Sequence, residues 1–240
     1  MEPSARWVRA IFNGVTIADS KQTKLLVERG YRPVYYFPKE DVRTDLLQPT
    51  SQQTNSPAKG DASYWTIRVG DRSVENGTWS YVTPIPERED IKEYFAFYWD
   101  AMDTWYEEAE QIFAHPRDPY HRVDVMESTR RVRVVINGET VAETSEPRLL
   151  FETHHPTRFY IPPQDVHLEF FSATDKHTRC PYKGQASYWT AKVGDVEMPD
   201  IVWSYPNPII ECPRIAGYLS FYNEQVDIYV DGEIERRPSS

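Results

Sequence analysis

The residues with most to offer chemically lie in one short run, Thr178-Arg179-Cys180-Pro181-Tyr182-Lys183-Gly184. A thiolate attacks well when a nearby cation lowers its pKa, and His177, Arg179 and Lys183 stand close to Cys180 in sequence. Cys180 is therefore a candidate nucleophile; the competing reading is a small buried thiol packed beneath a Pro turn. His177 and Cys180 also have the spacing of two metal ligands. A zinc site needs one or two more, and the donors in that half are His154, His155, His167 and Cys212, so no metal is expected. Lys183 either holds a carboxylate or phosphate at the mouth of a strand, forms a Schiff base if desolvated, or is a solvated turn residue. Glu152, at the end of a Leu-Leu run, is either a partly buried general base with a raised pKa or a carboxylate paired with Lys or Arg. Lys183, Tyr182, Cys180 and Glu152 form the candidate catalytic set.

Aromatic residues supply the candidate ligand-binding set: Tyr188, Tyr205, Trp203, Tyr160 and His177. Tyr188 and Thr190 share one face of a strand whose other face carries Trp189, Ala191 and Val193. The tyrosine face, with Tyr205 two residues beyond Trp203, either lines a cleft suited to a small organic molecule or forms an exposed cross-strand ladder.

These residues occur in the second of two copies. Ala-Ser-Tyr-Trp-Thr appears at 62–66 and again at 186–190, an offset of 124. The same offset pairs Asn13-Gly14 with Asn137-Gly138, Glu28 with Glu152, Lys59-Gly60 with Lys183-Gly184, and Trp79-Ser80-Tyr81 with Trp203-Ser204-Tyr205. From Val8 to Tyr98 it runs without a gap, with roughly a third or more of the positions identical. Two domains are expected, 1–110 and 124–240, joined by a polar, Pro-punctuated linker over 111–123.

Within each copy the hydrophobic period is two. Val8, Ala10 and Phe12 alternate with Arg9 and Ile11 before an Asn-Gly hairpin turn, and Ser63–Val69 is the clearest strand, repeated at Ser187–Val193. Asn76-Gly77 is likewise expected to be a turn. Short helices are predicted at Glu87–Glu93 and Pro213–Tyr218. The fold class is mainly β: two similar compact antiparallel domains, each with a short helix.

Composition sets the outer bounds. The 240 residues include 33 aromatic side chains and are 40% hydrophobic, enough to build a core. The formal net charge of −10 repels phosphate backbones, and 14 basic against 19 acidic residues up to Tyr120 leave neither half a basic arm, so no nucleic-acid partner is expected. No apolar run approaches the ~20 residues that span a bilayer, so no membrane association is expected. The start lacks a secretory pattern, and two cysteines are too few for a disulfide scaffold; both point to a cytoplasmic protein. No phosphate-cradling Gly-rich loop, dinucleotide fingerprint or Gly-x-Ser-x-Gly elbow occurs, so no nucleotide cofactor is expected.

The run from Thr178 to Trp189, followed by Trp203-Ser204-Tyr205-Pro206 and preceded by Phe151-Glu152-Thr153 and Tyr160-Ile161-Pro162, resembles the domain-of-unknown-function 427 family. The resemblance covers both repeats. It implies a compact, mostly β domain found singly or in tandem, sometimes labelled nucleotidyltransferase-type. A nucleotidyltransferase would hold metal with clustered carboxylates beside a Gly-Ser turn, a pattern this sequence does not contain. The first repeat departs from the signature, with Ser56 at the place of Cys180 and Ala58 at that of Tyr182.

Two functions follow. One is an enzyme acting on an anionic or aromatic metabolite, its site in the second repeat and the first repeat's equivalent shallow or filled. The other is a non-catalytic tandem module that binds a small molecule or a protein. A monomer or weak homodimer is expected, because two fused copies internalise the surface that a single copy would bury by pairing.

Overall fold

The computed structural model describes residues 1–238. The chain forms two compact units, Met1–Asp118 and Pro119–Ser240. The first contains β1 (Glu2–Pro3), β2 (Val8–Phe12), β3 (Val15–Ser20), β4 (Lys24–Leu26), β5 (Val34–Pro38), β6 (Leu47–Ser56), β7 (Gly60–Val69), β8 (Arg72–Pro84), β9 (Tyr94–Phe97), β10 (Thr104–Glu107) and β11 (Glu110–Ile112). The second repeats them as β12 (Val123–Glu127), β13 (Val132–Ile136), β14 (Glu139–Thr144), β15 (Arg148–Glu152), β16 (Arg158–Ile161), β17 (Phe171–Cys180), β18 (Gly184–Val193), β19 (Val196–Ser204), β20 (Leu219–Phe221), β21 (Asp227–Val230) and β22 (Glu233–Ile234).

Every strand pairing is antiparallel, and the two units share one topology. A seven-stranded sheet runs β1-β4-β5-β9-β8-β7-β6 in the first and β12-β15-β16-β20-β19-β18-β17 in the second. A four-stranded sheet accompanies each, β11-β10-β2-β3 and β14-β13-β21-β22. The fold is thus a duplicated, mainly β domain. Its helical segments are 3-10 turns. Pro86–Ile91 is interrupted by the non-helical backbone of Arg88, and the three residues of Pro213–Ile215 are too few for an α-helical turn to propagate.

Alternation along each strand sorts the side chains onto two faces. Between the sheets of the first unit, Val8, Phe12 and Ile17 meet Tyr35, Phe37 and Ile67 in one core. On the opposite face of the large sheet, Leu26, Tyr36, Tyr64, Tyr81, Ile91 and Ala96 make a second apolar cluster. The second unit repeats both, with Leu150, Tyr160, Tyr188, Trp203, Tyr205 and Ile215 among the outer cluster. Tyr64 and Tyr188 are only 8% and 6% exposed, so the exposed-ladder reading of that face does not hold.

Asn13-Gly14 and Asn137-Gly138 turn their hairpins with positive φ at both residues, 47° and 75° in the first and 50° and 81° in the second. Asn76-Gly77, by contrast, is no hairpin turn. It lies inside β8, where the register with β7 shifts between Trp65 and Ile67. Asn76 takes φ 53° and accepts a hydrogen bond from Thr50, so the pair forms a bulge; Asp200 and Thr174 repeat it.

One turn matters most for the site. Lys59 and Lys183 each end a tight turn, and each carbonyl accepts a hydrogen bond of 3.1 Å from the backbone of Ile85 or Ile209. The next residue must pass close against that neighbouring chain. A Cβ on Gly60 (φ 100°) would sit 3.0 Å from Ile85 N and Thr83 O, and one on Gly184 (φ 109°) 3.2 Å from Ile209 N. Neither the conformation nor the space admits a side chain. Gly60→Ala and Gly184→Ala should therefore each cost about 2–3 kcal/mol, read as a fall in urea midpoint with an unchanged slope, and the first substitution should cost more.

Candidate functional site

The turn delivers each lysine to a carboxylate. Lys59 Nζ donates to both oxygens of Glu28 at 2.7 and 2.8 Å, and Lys183 Nζ donates to Glu152 Oε2 at 2.5 Å. The Glu residues come from the ends of the second strands in from the edge, so both repeats place the pair at the same corner of the outer sheet face. The lysines are therefore neither solvated turn residues nor free to form an adduct.

The surroundings differ. Glu152 also lies 3.0 Å from His121 Nε2, and its side chain is 9% exposed against 33% for Glu28. Burial alone would raise the Glu152 pKa, but the Lys183 charge and the hydrogen bonds from Lys183 and His121 outweigh it and hold the carboxyl below its ordinary 4.5. The shift is thus downward and not the upward one a general base would need, as the paired-carboxylate alternative requires.

The signature residues separate by strand alternation. Thr178 Oγ1 lies 2.7 Å from the Tyr188 hydroxyl, so residues 178 and 180 face the outer cluster, against which Cys180 packs. His177 turns to the other face, where its Nδ1 lies 3.4 Å from Ser187 Oγ. His177 is exposed and faces away from Cys180, so the two do not form a metal pair. Among the described residues no three His, Cys, Asp or Glu side chains gather as metal ligands would. Cys212 is buried, and desolvation raises its thiol to about 11, so it stays protonated.

Tyr160, Tyr188, Trp203 and Tyr205 do come together, with Trp203 Nε1 donating to the Tyr160 hydroxyl at 3.1 Å. Burial raises the pKa of both Tyr160 and Tyr205, which keeps their hydroxyls neutral. Tyr182 is a wall rather than an open donor: the His121 ring stacks on it at 4.2 Å and 22°. His121, which sequence reasoning did not single out, thus caps the Lys183–Glu152 pair from above.

The first repeat reverses the expectation of a filled site. A cavity of about 860 Å³ opens there, lined on the signature side by Ser56, Pro57, Ala58 and Lys59, with Glu28 beside them. Its aromatic wall includes Tyr36, Tyr64, Trp79, Tyr81, Tyr98 and Trp99. Burial raises the Tyr81 hydroxyl to about 12, so it too is a neutral donor. Two differences stand at this place: Ala58 where Tyr182 stands, and Val34 where Arg158 stands. In the second repeat the Tyr182 ring stands at this place, stacked on His121. The signal lay in the sequence, in side-chain volume rather than reactivity at paired positions.

The sequence profile of the family described as a domain of unknown function (DUF427) matches residues 1–108 and again 124–232. The chain belongs to that family, with a copy in each unit. No curated protein matches the chain.

The two pairs should respond differently to truncation. Lys183→Ala strands a buried carboxylate and should cost about 3 kcal/mol, whereas Lys59→Ala leaves a carboxylate that water reaches and should cost about 1 kcal/mol. Burial, with Lys183 and His121 nearby, also holds His155 below its ordinary 6.5. Both shifts have the same sign. The His155 contribution is complete above about pH 6.5 and falls as pH drops from there, and the Glu152 contribution is complete above about 4.5 and falls below it. Denaturation measured from pH 8 to 4 should show stability declining in those two windows, and His155→Gln should remove the upper one.

Proposed function

We propose that the first repeat binds a small organic molecule in its outer-face cavity, and that the second repeat is a structural copy whose own side chains occupy the equivalent place. The observation that carries this is the 860 Å³ aromatic cavity ending on the Lys59–Glu28 pair. Its volume falls within the ~300–1,000 Å³ of small-molecule pockets, and its make-up, apolar rings with a few convergent polar groups, is what such pockets use to fix an orientation. Neutral tyrosine hydroxyls and one accessible ion pair supply those groups.

Binding without turnover is favoured over catalysis. The carboxylate and the amine that would act as base and nucleophile neutralise one another, and the thiol of the signature is replaced by Ser56 in the repeat that has the space. The module is further proposed to act in the cytoplasm, as a monomer or weak homodimer, with neither nucleic acid nor membrane as partner. Among the described residues no helix is long and apolar enough to cross a membrane.

A thermal-shift panel of metabolites tests the reading, because a ligand that binds only the folded state raises the melting temperature. Ala58 is exposed, so Ala58→Tyr can install the ring of the second repeat with little strain. Compounds that stabilise the wild type should lose at least about tenfold in affinity against Ala58→Tyr, equivalent to about 1.4 kcal/mol, while Tyr182→Phe leaves them unchanged. Shifts that survive Ala58→Tyr and vanish with Tyr182→Phe would place the ligand in the second repeat instead.

A further inference from the structure

The second repeat shows what occupies the place that the first leaves open. From the Val34-equivalent position, the Arg158 guanidinium lies 5.4 Å over the Trp203 ring and 5.8 Å over that of Tyr222. It donates two parallel hydrogen bonds to Glu224, at 2.7 and 2.6 Å, and one more to the Asn223 side chain. A planar cation on an aromatic pair, forked onto a carboxylate, is a preferred geometry for guanidinium recognition. Arg158 holds Glu224 below its ordinary carboxyl pKa, as such pairing requires.

The first repeat keeps the aromatic pair and the carboxylate of the receptor, has Trp99 at the place of Asn223, and lacks the cation. Trp79 and Tyr98 replace Trp203 and Tyr222 in the same mutual arrangement, with ring centroids 4.7 Å apart at 46° against 4.5 Å at 47°. Asp100 stands at the place of Glu224 in the same turn: the Ala101 N–H donates to the Tyr98 carbonyl at 3.1 Å as Gln225 does to Tyr222 at 2.8 Å. Val34, Trp79, Tyr98 and Asp100 all line the cavity. Asp100 is exposed and has no ion-pair partner among the described residues; Arg32, on the same wall, does not bridge to it. The other anion of the wall, Glu28, is already held by Lys59.

We propose that the first-repeat cavity takes a ligand bearing a guanidinium or amidinium head, which stacks on Trp79 and Tyr98 and forks onto Asp100 as Arg158 does within the second repeat. This rests on the first repeat being the binding one, and it names the chemical class of the ligand. The head fills only part of the cavity, and the remainder, walled by Tyr36, Tyr64 and Tyr81, takes the body of the molecule.

Phenylguanidine and phenylurea are near-identical in shape and differ in charge, so calorimetric titration of the full chain with each isolates the head group. Phenylguanidine should bind at least about tenfold more tightly than phenylurea. Asp100→Asn, an exposed and near-isosteric change, should weaken phenylguanidine about tenfold and leave phenylurea unaffected. Val34→Arg, which supplies the internal guanidinium of the second repeat, should abolish phenylguanidine binding. Equal affinities for the two probes, or an Asp100→Asn variant that binds phenylguanidine as the wild type does, would overturn the proposal. If phenylurea binds as well as phenylguanidine and Ala58→Tyr blocks both, the cavity is a ligand site and only its cation preference fails. If no aromatic probe binds, both readings fall.

Discussion

A sheet with large apolar side chains on both faces has to cover both. In each unit of this protein the seven-stranded sheet does so inwardly with the four-stranded sheet, and the rest of the molecule follows from how the outer face is handled. Tyr36 and Tyr160, among the most deeply buried large side chains, sit on that outer face and not in the core between the sheets. Burying an aromatic ring is worth about 2 kcal/mol or more, so the cover is not optional. The 3-10 turns that end in Ile91 and Ile215 supply part of it, each delivering an isoleucine with no exposure. What remains uncovered is the corner where the Lys–Glu pair sits. In the second unit Tyr182, His121 and Arg158 stand at that corner. In the first, where Ala58 and Val34 replace Tyr182 and Arg158, a cavity opens there.

The ion pair is common to both corners and its role changes with the cover. In water-accessible surroundings a Lys–Glu contact adds little stability, because both groups hydrate well when apart. Sealed under Tyr182 and His121, the same contact becomes obligatory: neither charge can be left alone without a large desolvation cost, so the pair and its cap have to be kept together. The open pair of the first unit is under no such constraint. Its carboxylate is a third exposed and can exchange part of its hydration for a ligand, which a closed pair cannot do.

Much of the fold was legible in the sequence because its signals are local. The offset of 124 and the Asn-Gly hairpins are each set by a few adjacent residues, and the structure keeps them. The two-sided burial of the large sheet was less legible. In β5 the consecutive Tyr35, Tyr36 and Phe37 give no alternation of polarity, although they do alternate between the two clusters. Asn76-Gly77 misled for a related reason. A left-handed Asn suits a bulge as well as a hairpin, and only the pairing of Trp65 with Thr78 and of Ile67 with Val74 distinguishes them. At the site, residue type pointed to the corner of the Lys–Glu pair, and the 860 Å³ cavity at that corner lies in the first copy. Glu152, Lys183 and the tyrosines are together as the pattern suggested, but reactivity was read from Cys180 and Tyr182, and whether a phenol lines a space or fills it depends on neighbours distant in sequence. His121 lies 61 positions from Tyr182 and Arg158 lies 66 from Glu224, beyond the reach of any local motif.

Duplication makes the proposed division of labour physically accessible. Two copies of one domain begin with the same apolar corner and the same need to cover it. Once one copy covers its corner with its own side chains, that copy gains stability that does not depend on any ligand, and it can carry a tightly capped ion pair. The other copy is then released from that demand and can leave its aromatic wall partly bare, at the cost of the burial that Tyr182, Arg158 and His121 provide in the second. Bare aromatic surface costs burial in a free protein, whereas the exposed Asp100 beside it is hydrated. On the proposed reading the first corner is occupied from outside the chain, and the Arg158 guanidinium on the Trp203–Tyr222 pair of the second repeat is the shape and charge such an occupant would match.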